Sequence, residues 1–152
     1  MSLSVYFTPL GVTSQAIGGK PVVVVDVLRT TSSIVAAMAN GARAVVPASN
    51  ADEALRVAKN LESDDVLLAG ERGGHRIEGF ALGNSPRDMT ADAVAGKTLV
   101  MATTNGTGTL VVSDPGRPVL VGAITNFSVI VERARAELKQ SGSLSILCAG
   151  RQ

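Results

Sequence analysis

The run Val22-Val23-Val24-Val25, set between Pro21 and Asp26, has no polar face at all. A strand that is apolar on both sides has to be covered on both sides, and that is the position of a parallel strand inside an α/β sheet. Residues 22–26 are therefore read as a buried strand. Residues 30–40 follow as a helix, with Ile34, Ala37 and Met38 on one face and Gly41 where a helix ends. The alternation then repeats. A strand over 43–46 is stopped by Pro47, and Asn50 starts a helix in which Glu53 can reach back to the cap N–H. That helix carries Ala54, Leu55, Ala58 and Leu61 on one side and Arg56, Lys59 and Glu62 on the other. Strands are expected over 66–69 and 98–102, a helix over 104–112, and a turn at Asp114-Pro115-Gly116. A strand over 119–121, a helix from Asn126 to Gln140 closed by Gly142, and a strand over 144–148 complete the pattern. Between Glu71 and Asp92 the period is lost, and a loop that long in a compact domain is usually functional or partly structured.

Repeated strand–helix–strand units predict an α/β fold with a mainly parallel central sheet covered on both faces. Residues 1–152 read as one such domain. The chain stops four residues after its last expected strand, so either that strand is the last of the fold or the chain is a fragment. Composition narrows the function. Fourteen basic against 13 acidic residues leave a net charge of +1, which offers no electrostatic footprint for nucleic acid or an anionic membrane. Three Phe, one Tyr and no Trp are too few for a base-stacking surface. One cysteine excludes an intrachain disulfide framework and a multi-cysteine zinc site. No apolar run approaches the roughly 18 residues of a membrane helix, and Met-Ser-Leu-Ser is not a secretory start. The expectation is a soluble, cytoplasmic protein.

Ligands of open parallel sheets bind beyond the carboxyl ends of the strands. The residues there are Asp26, Arg29, Thr30 and Thr31 after the first strand, and Glu71, Arg72, Gly73 and Gly74 after the third. Thr103, Thr104, Asn105, Gly106 and Thr107 follow the fourth, and Cys148, Ala149, Gly150 and Arg151 the last. Helix starts and guanidinium groups suit a phosphate or another anion. Asp26 and Glu71 are hard oxygen donors, and Mg²⁺ is commonly held by one or two carboxylates together with substrate phosphate and water. An acid, an anion and a metal outline phosphoryl chemistry. Plainer roles exist for each residue: Asp26 as a cap or partner of Arg29, Glu71 and Arg72 as a solvated pair, 103–106 as a tight turn. His75 stands alone, and Cys148 reads as a buried thiol with Arg151 too close for a cysteine phosphatase. Other phosphate motifs fail. There is no G-x-x-x-x-G-K-[ST], Gly106-Thr-Gly-Thr-Leu-Val111 lacks the third glycine of a dinucleotide site, and Leu28 stands where an Asp-x-Asp phosphatase needs its second acid.

Six segments together carry a family resemblance: Asp26-Val-Leu-Arg-Thr-Thr-Ser, Gly41-Ala-Arg-Ala-Val-Val-Pro47, Leu68-Ala-Gly-Glu-Arg-Gly-Gly74, Gly79-Phe-Ala-Leu-Gly-Asn-Ser-Pro86, Thr103-Thr-Asn-Gly-Thr107 and Cys148-Ala-Gly-Arg151. In this order they resemble the 2-phosphosulfolactate phosphatase family. The resemblance implies a three-layer α/β/α sandwich and Mg²⁺-dependent hydrolysis of 2-phosphosulfolactate to sulfolactate and phosphate, a step toward coenzyme M. Because family members continue past the Cys-Ala-Gly-Arg segment, the resemblance also implies that residues 1–152 are the N-terminal part of a longer fold. It implies Asp26 as metal ligand, with phosphoryl acceptor as the other role, and Glu71 as a second metal or water-orienting group. Both would be catalytic. Arg29, Thr30, Arg72, Asn84, Thr104, Asn105, Gly106 and Arg151 would hold the phosphate or the acid end of the substrate. The expected partner is a small-molecule phosphate ester, with a homo-oligomer left open. Two other readings stand beside it: a silent anion-binding domain, and a fragment whose open sheet edge pairs with another chain.

Overall fold

The computed structural model describes residues 1–113 and 118–150, the side chain of Ser14 aside. The turn expected at Asp114-Pro115-Gly116 and the anion-binding role expected of Arg151 lie outside the described residues. In chain order the elements are β1 (Ser2–Tyr6), α1 (Ser14–Ile17), β2 (Val22–Val25), α2 (Thr30–Ala39), β3 (Ala44–Ala48), α3 (Ala51–Asn60), β4 (Val66–Arg72), β5 (His75–Arg76), α4 (Ala91–Val94), β6 (Thr98–Ala102), α5 (Gly106–Val111), β7 (Val119–Gly122), α6 (Phe127–Ser141) and β8 (Ser143–Cys148). Short 3₁₀ turns lie at Pro86–Asp88 and Ile124–Asn126.

The strands form two four-stranded sheets. One has the order β1-β8-β2-β7 and is parallel throughout. The other has the order β3-β6-β4-β5 and is parallel except for the β4–β5 hairpin. The mainly parallel α/β architecture predicted from the alternation is present, with consecutive strands β2 and β3 entering different sheets. Helices cover both faces. Leu99 and Met101 of β6 share a core with Ile34 and Ala37 of α2, while Val100 and Ala102 share another with Ala54 of α3. Successive residues of a strand point to opposite faces, so β6 is buried on both, and its all-apolar sequence follows from that. Val22, Val23 and Val24 of β2 are buried for the same reason, between β8 and β7. Helices α2 and α5 touch strands of both sheets, α2 reaching β3 and β7 and α5 reaching β2, β3 and β6. Leu110 of α5 packs on the cores of both. Helix α6 lies on β7 and β8 beside an apolar cavity of about 290 Å³ lined by Val23, Phe127, Ile130 and Ile146 among others. No helix among the described residues is long and apolar enough to cross a membrane.

Several local details depart from expectation. Strand β3 runs through Pro47, which sits opposite Met101. The strand is at a sheet edge, where an imino acid leaves no ladder hydrogen bond missing. Asn50 caps α3 by accepting from the Glu53 N–H at 2.9 Å, but the Glu53 carboxylate reaches Ser49 N–H at 2.7 Å rather than the N–H of Asn50. Asn126 does not cap α6. Its side chain turns back to the strand end, accepting from Ala123 N–H at 2.8 Å and donating to Val121 O at 2.9 Å. Gly41 and Gly142 do end α2 and α6, both at positive φ.

Leu147 of β8 is fully buried in the core of the first sheet, with Ile17, Val22 and Val24. Leu147→Ala is expected to lower the unfolding free energy by about 2–4 kcal/mol through lost transfer energy and the cavity left behind. Urea unfolding measures it, and a change within error of zero would mean that this core is not packed as described.

Candidate functional site

Strand β2 of one sheet and strands β4 and β6 of the other end at the same place. Beyond their carboxyl ends lies a cavity of about 530 Å³ lined by Asp26, Leu28, Arg29, Thr30, Glu71, Gly73, Gly74, Asn84, Thr104, Asn105 and Gly150. Asp26, Arg29, Thr30, Glu71, Asn84, Thr104 and Asn105 are thus brought together from four separate segments of chain, and Gly106 lies against Asp26 and Thr30. Arg72 is not with them. It lines a neighbouring cavity, also about 530 Å³, with Ser49, Asn50, His75 and Arg76. Glu71 and Thr104 are the shared wall. Glu71 thus reaches both cavities, whereas Arg72, one step further along β4 and turned to the other side, lines only the second.

A buried hydroxyl chain holds the segments in register. Asn84 Nδ2 donates to Thr30 Oγ1 at 3.3 Å, and Thr30 Oγ1 donates to Thr103 Oγ1 at 3.1 Å. Thr103 and Thr107 then close on each other: Thr103 N–H donates to Thr107 Oγ1 at 2.8 Å and Thr107 N–H to Thr103 Oγ1 at 3.0 Å. All four residues are buried. Thr31 does the same for the backbone at Asp26, accepting from its N–H at 3.0 Å and donating to its carbonyl at 2.7 Å. The role of Thr107 was not foreseen from sequence. Its signal is the spacing of four from Thr103, which lets each hydroxyl meet the other's amide across the first turn of α5.

The two acids are treated very differently. Among the described residues no donor sits on the Asp26 carboxylate, and Asp26 is not paired with Arg29. Glu71 is saturated by comparison. Its Oε1 accepts from Thr104 N–H at 2.8 Å, and its Oε2 from Gly74 N–H at 2.7 Å and Thr104 Oγ1 at 3.0 Å. Thr104, expected to donate to an anion, directs both its N–H and its hydroxyl to Glu71. Burial pushes the Glu71 pKa up, but the bonds from the Thr104 and Gly74 amides and the Thr104 hydroxyl, with the Arg29 charge, outweigh it and hold the carboxyl below its ordinary value. Burial raises the Cys148 thiol, which fits an unreactive cysteine. Among the described residues two amide oxygens are buried without a partner, Asn84 Oδ1 and Asn105 Oδ1, and both belong to residues lining the cavity. Arg29 Nη2 donates to Gly74 O at 3.3 Å. Among the described residues no group of three or more His, Cys, Asp or Glu side chains is gathered to hold a metal. Asp26 and Glu71, both expected as metal ligands, line the same cavity, and of the two Asp26 is the one whose carboxylate carries no donor among the described residues.

Comparison with known proteins finds a matching family and several relatives. A family model described as 2-phosphosulpholactate phosphatase matches residues 6–152. The chain is 41% identical over 150 residues to a protein of Caldanaerobacter subterraneus subsp. tengcongensis, an alignment covering 99% of this chain and 61% of that protein. It is 39% identical over 133 residues to one of Clostridium acetobutylicum, covering 88% and 56%. A Caldicellulosiruptor saccharolyticus protein is 40% identical over 141 residues, covering 91% and 57%. Each is named "Probable 2-phosphosulfolactate phosphatase". The chain spans 56–61% of the length of these relatives.

Two outcomes follow from the geometry alone. A Cβ on Gly106 would overlap Asp26 Oδ2 and the Thr30 side chain, so Gly106→Ala is expected to destabilise the protein by about 1–3 kcal/mol while displacing both. Thermal unfolding together with NMR shifts at Asp26 and Thr30 measures this, and unchanged shifts would contradict the contact. Glu71 has a depressed native pKa, so its charged form adds stability at pH above the ordinary 4.5, and this is lost as pH falls through the native value. Stability of Glu71→Gln should therefore fall less steeply with pH below 4.5 than that of the wild type. Urea midpoints across that range decide it, parallel curves being the contrary result.

Proposed function

The chain belongs to the 2-phosphosulpholactate phosphatase family, and on that premise we propose that it carries the phosphate-ester-hydrolysing site of such an enzyme, acting with Mg²⁺ on 2-phosphosulfolactate. The observation that supports this most is the Asp26 carboxylate, free of donors from the described residues, in one cavity with Arg29 and with two asparagines whose buried oxygens lack partners. Buried acceptors without donors are rare and call for a partner. An all-oxygen set with a single free carboxylate fits a hard cation that keeps several waters and shares a substrate phosphate, which is the habit of Mg²⁺. Asp26 would hold the ion, with Asn84 Oδ1 and Asn105 Oδ1 as the neutral oxygens nearest in kind. Bound there, Mg²⁺ would supply Lewis-acid polarisation of the phosphoryl group.

The remaining chemistry falls to the chain's own groups. Arg29 presents a fork of N–H donors suited to two phosphate oxygens, and it stands at the start of α2, where backbone N–H groups favour an anion. Thr30 is fixed by Asn84 and Thr103 and positions that first turn against the cavity. In the overall reaction water forms a new P–O bond, the ester P–O bond breaks, and the alcohol oxygen of the leaving acid takes up a proton. The products are sulfolactate and inorganic phosphate. In this reading the protein works in the cytoplasm, takes a small phosphate ester rather than nucleic acid, and its product lies on a route to coenzyme M.

Phosphate release from 2-phosphosulfolactate by the purified chain should require Mg²⁺ and should fall to background in Asp26→Asn. Arg29→Ala should lower kcat/KM by about 100-fold or more, as loss of a charged contact to the reacting group does. Release that continues unchanged after Mg²⁺ is chelated would overturn the reading.

A further inference from the structure

We propose that Glu71 is a positioning residue: its carboxylate ties the Gly73–Gly74 turn to the Thr104 turn, and through Gly74 it sets where Arg29 stands in the cavity. The catalytic part of this inference rests on the reading above, but the tie itself does not.

The bonds around Glu71 leave little choice. A carboxylate offers about four acceptor positions, and three of them are filled here by donors of two different loops. Two of those donors are backbone amides, which cannot rotate away to admit a cation as a side chain can. The tie continues past Glu71. Thr104 Oγ1 also accepts from Gly73 N–H at 3.1 Å, so both glycines of the turn are anchored to one pair of side chains. Gly74 is gripped on both sides of its residue, its N–H by Glu71 and its carbonyl by Arg29 Nη2.

The turn needs that grip. Gly73 and Gly74 stand at φ +59° and +87°, and a Cβ added to either would meet nothing within 4 Å. Packing therefore does not hold them. The hairpin they close has a ladder of two pairs, Glu71 with Arg76 and Arg72 with His75, extended by one bond from Ile77 N–H to Gly70 O at 3.4 Å, and so short a pairing is not stable by itself. What orders the turn is the buried carboxylate at its base. Asp26, by contrast, carries no such bonds from the described residues, which divides the two acids into one that holds the loops and one left for a ligand.

Amide hydrogen exchange in Glu71→Gln tests the tie without any activity. A glutamine has one oxygen and so cannot accept from Thr104 and Gly74 on opposite sides. Exchange at Gly74 and Thr104 should accelerate about tenfold or more while that of β2 and β6 is unchanged. Thr104→Val keeps the carboxylate and removes only the bridging hydroxyl, and it should shift Gly73 and Gly74 in the same direction by less. Unchanged exchange at Gly74 and Thr104 in Glu71→Gln overturns the proposal.

Two binding titrations separate positioning from metal ligation and from a merely structural role. With Mg²⁺ alone as probe, Glu71→Gln should keep its affinity within about twofold while Asp26→Asn loses it. An equal loss in both would make Glu71 a ligand and sink the proposal. With inorganic phosphate as probe, Glu71→Gln and Arg29→Ala should each weaken binding, and the double variant should be no weaker than Arg29→Ala alone. Fully additive losses would contradict action through Arg29. If the wild type binds neither Mg²⁺ nor phosphate, the phosphatase reading falls and the exchange result alone decides the tie.

Discussion

Thr30 Oγ1 receives a hydrogen bond from Asn84 and gives one to Thr103, and on that hydroxyl three distant stretches of chain converge. Thr30 begins a helix that follows the strand β2 of one sheet, whereas Thr103 follows the strand β6 of the other. No strand-to-strand hydrogen bond joins the two sheets among the described residues, so their mutual register depends on what lies between them. Leu110 supplies apolar contact there, but apolar contact is non-directional and does not fix position to within a bond length. The threonine chain does. A buried hydroxyl left without a partner costs about 1–3 kcal/mol, so any slippage of one sheet against the other that broke this chain would carry that penalty at several groups. The cavity lies where this register is enforced.

Around that frame, Asp26 and Glu71 show how environment assigns different work to the same functional group. The Asp26 backbone is pinned by Thr31 while its carboxylate takes no donor from the described residues. The Glu71 carboxylate is enclosed by amide and hydroxyl donors. Neutral dipoles stabilise its charge without neutralising it, and Arg29 adds a full charge on the cavity side. Arg29 thereby links the two halves of the site, touching the Gly74 loop while standing on the helix that follows Asp26.

The parts of the fold legible in sequence are those where burial leaves a compositional mark. The valines of β2 and the alternation of cores across β6 are of this kind. Strand β1 carries Leu3 and Val5 about half exposed, so its sequence lacks the contrast that would reveal it. The far end of β4, Gly70 to Arg72, is held by backbone pairing with β6 and β5 rather than by apolar burial, and pairing leaves no pattern in one segment of sequence. The division into two sheets is a choice of partners far apart in the chain and is invisible locally. For the site, strand-end position found Asp26, Arg29, Thr30 and the 103–106 turn, because connectivity alone brings such residues to one edge. It could not separate Glu71 from Asp26, since the donors that distinguish them arrive from Gly74 and Thr104 across the fold. Nor could it remove Arg72 from the group, which depends on the side of β4 to which each residue points.

Pro47 in β3 has a consequence for how copies of this chain meet at high concentration. A sheet edge with free N–H groups is a template on which another chain can add a strand, the first step of fibrous aggregation. On the sheet that holds Glu71, one outer strand is interrupted by an imino acid and the other outer strand is two residues long. Neither offers a continuous row of donors. The other sheet ends in β1 and β7, five and four residues long and without proline among those residues. Uncontrolled strand addition is therefore directed to that sheet, and the margin beside the polar cavity is shielded from it.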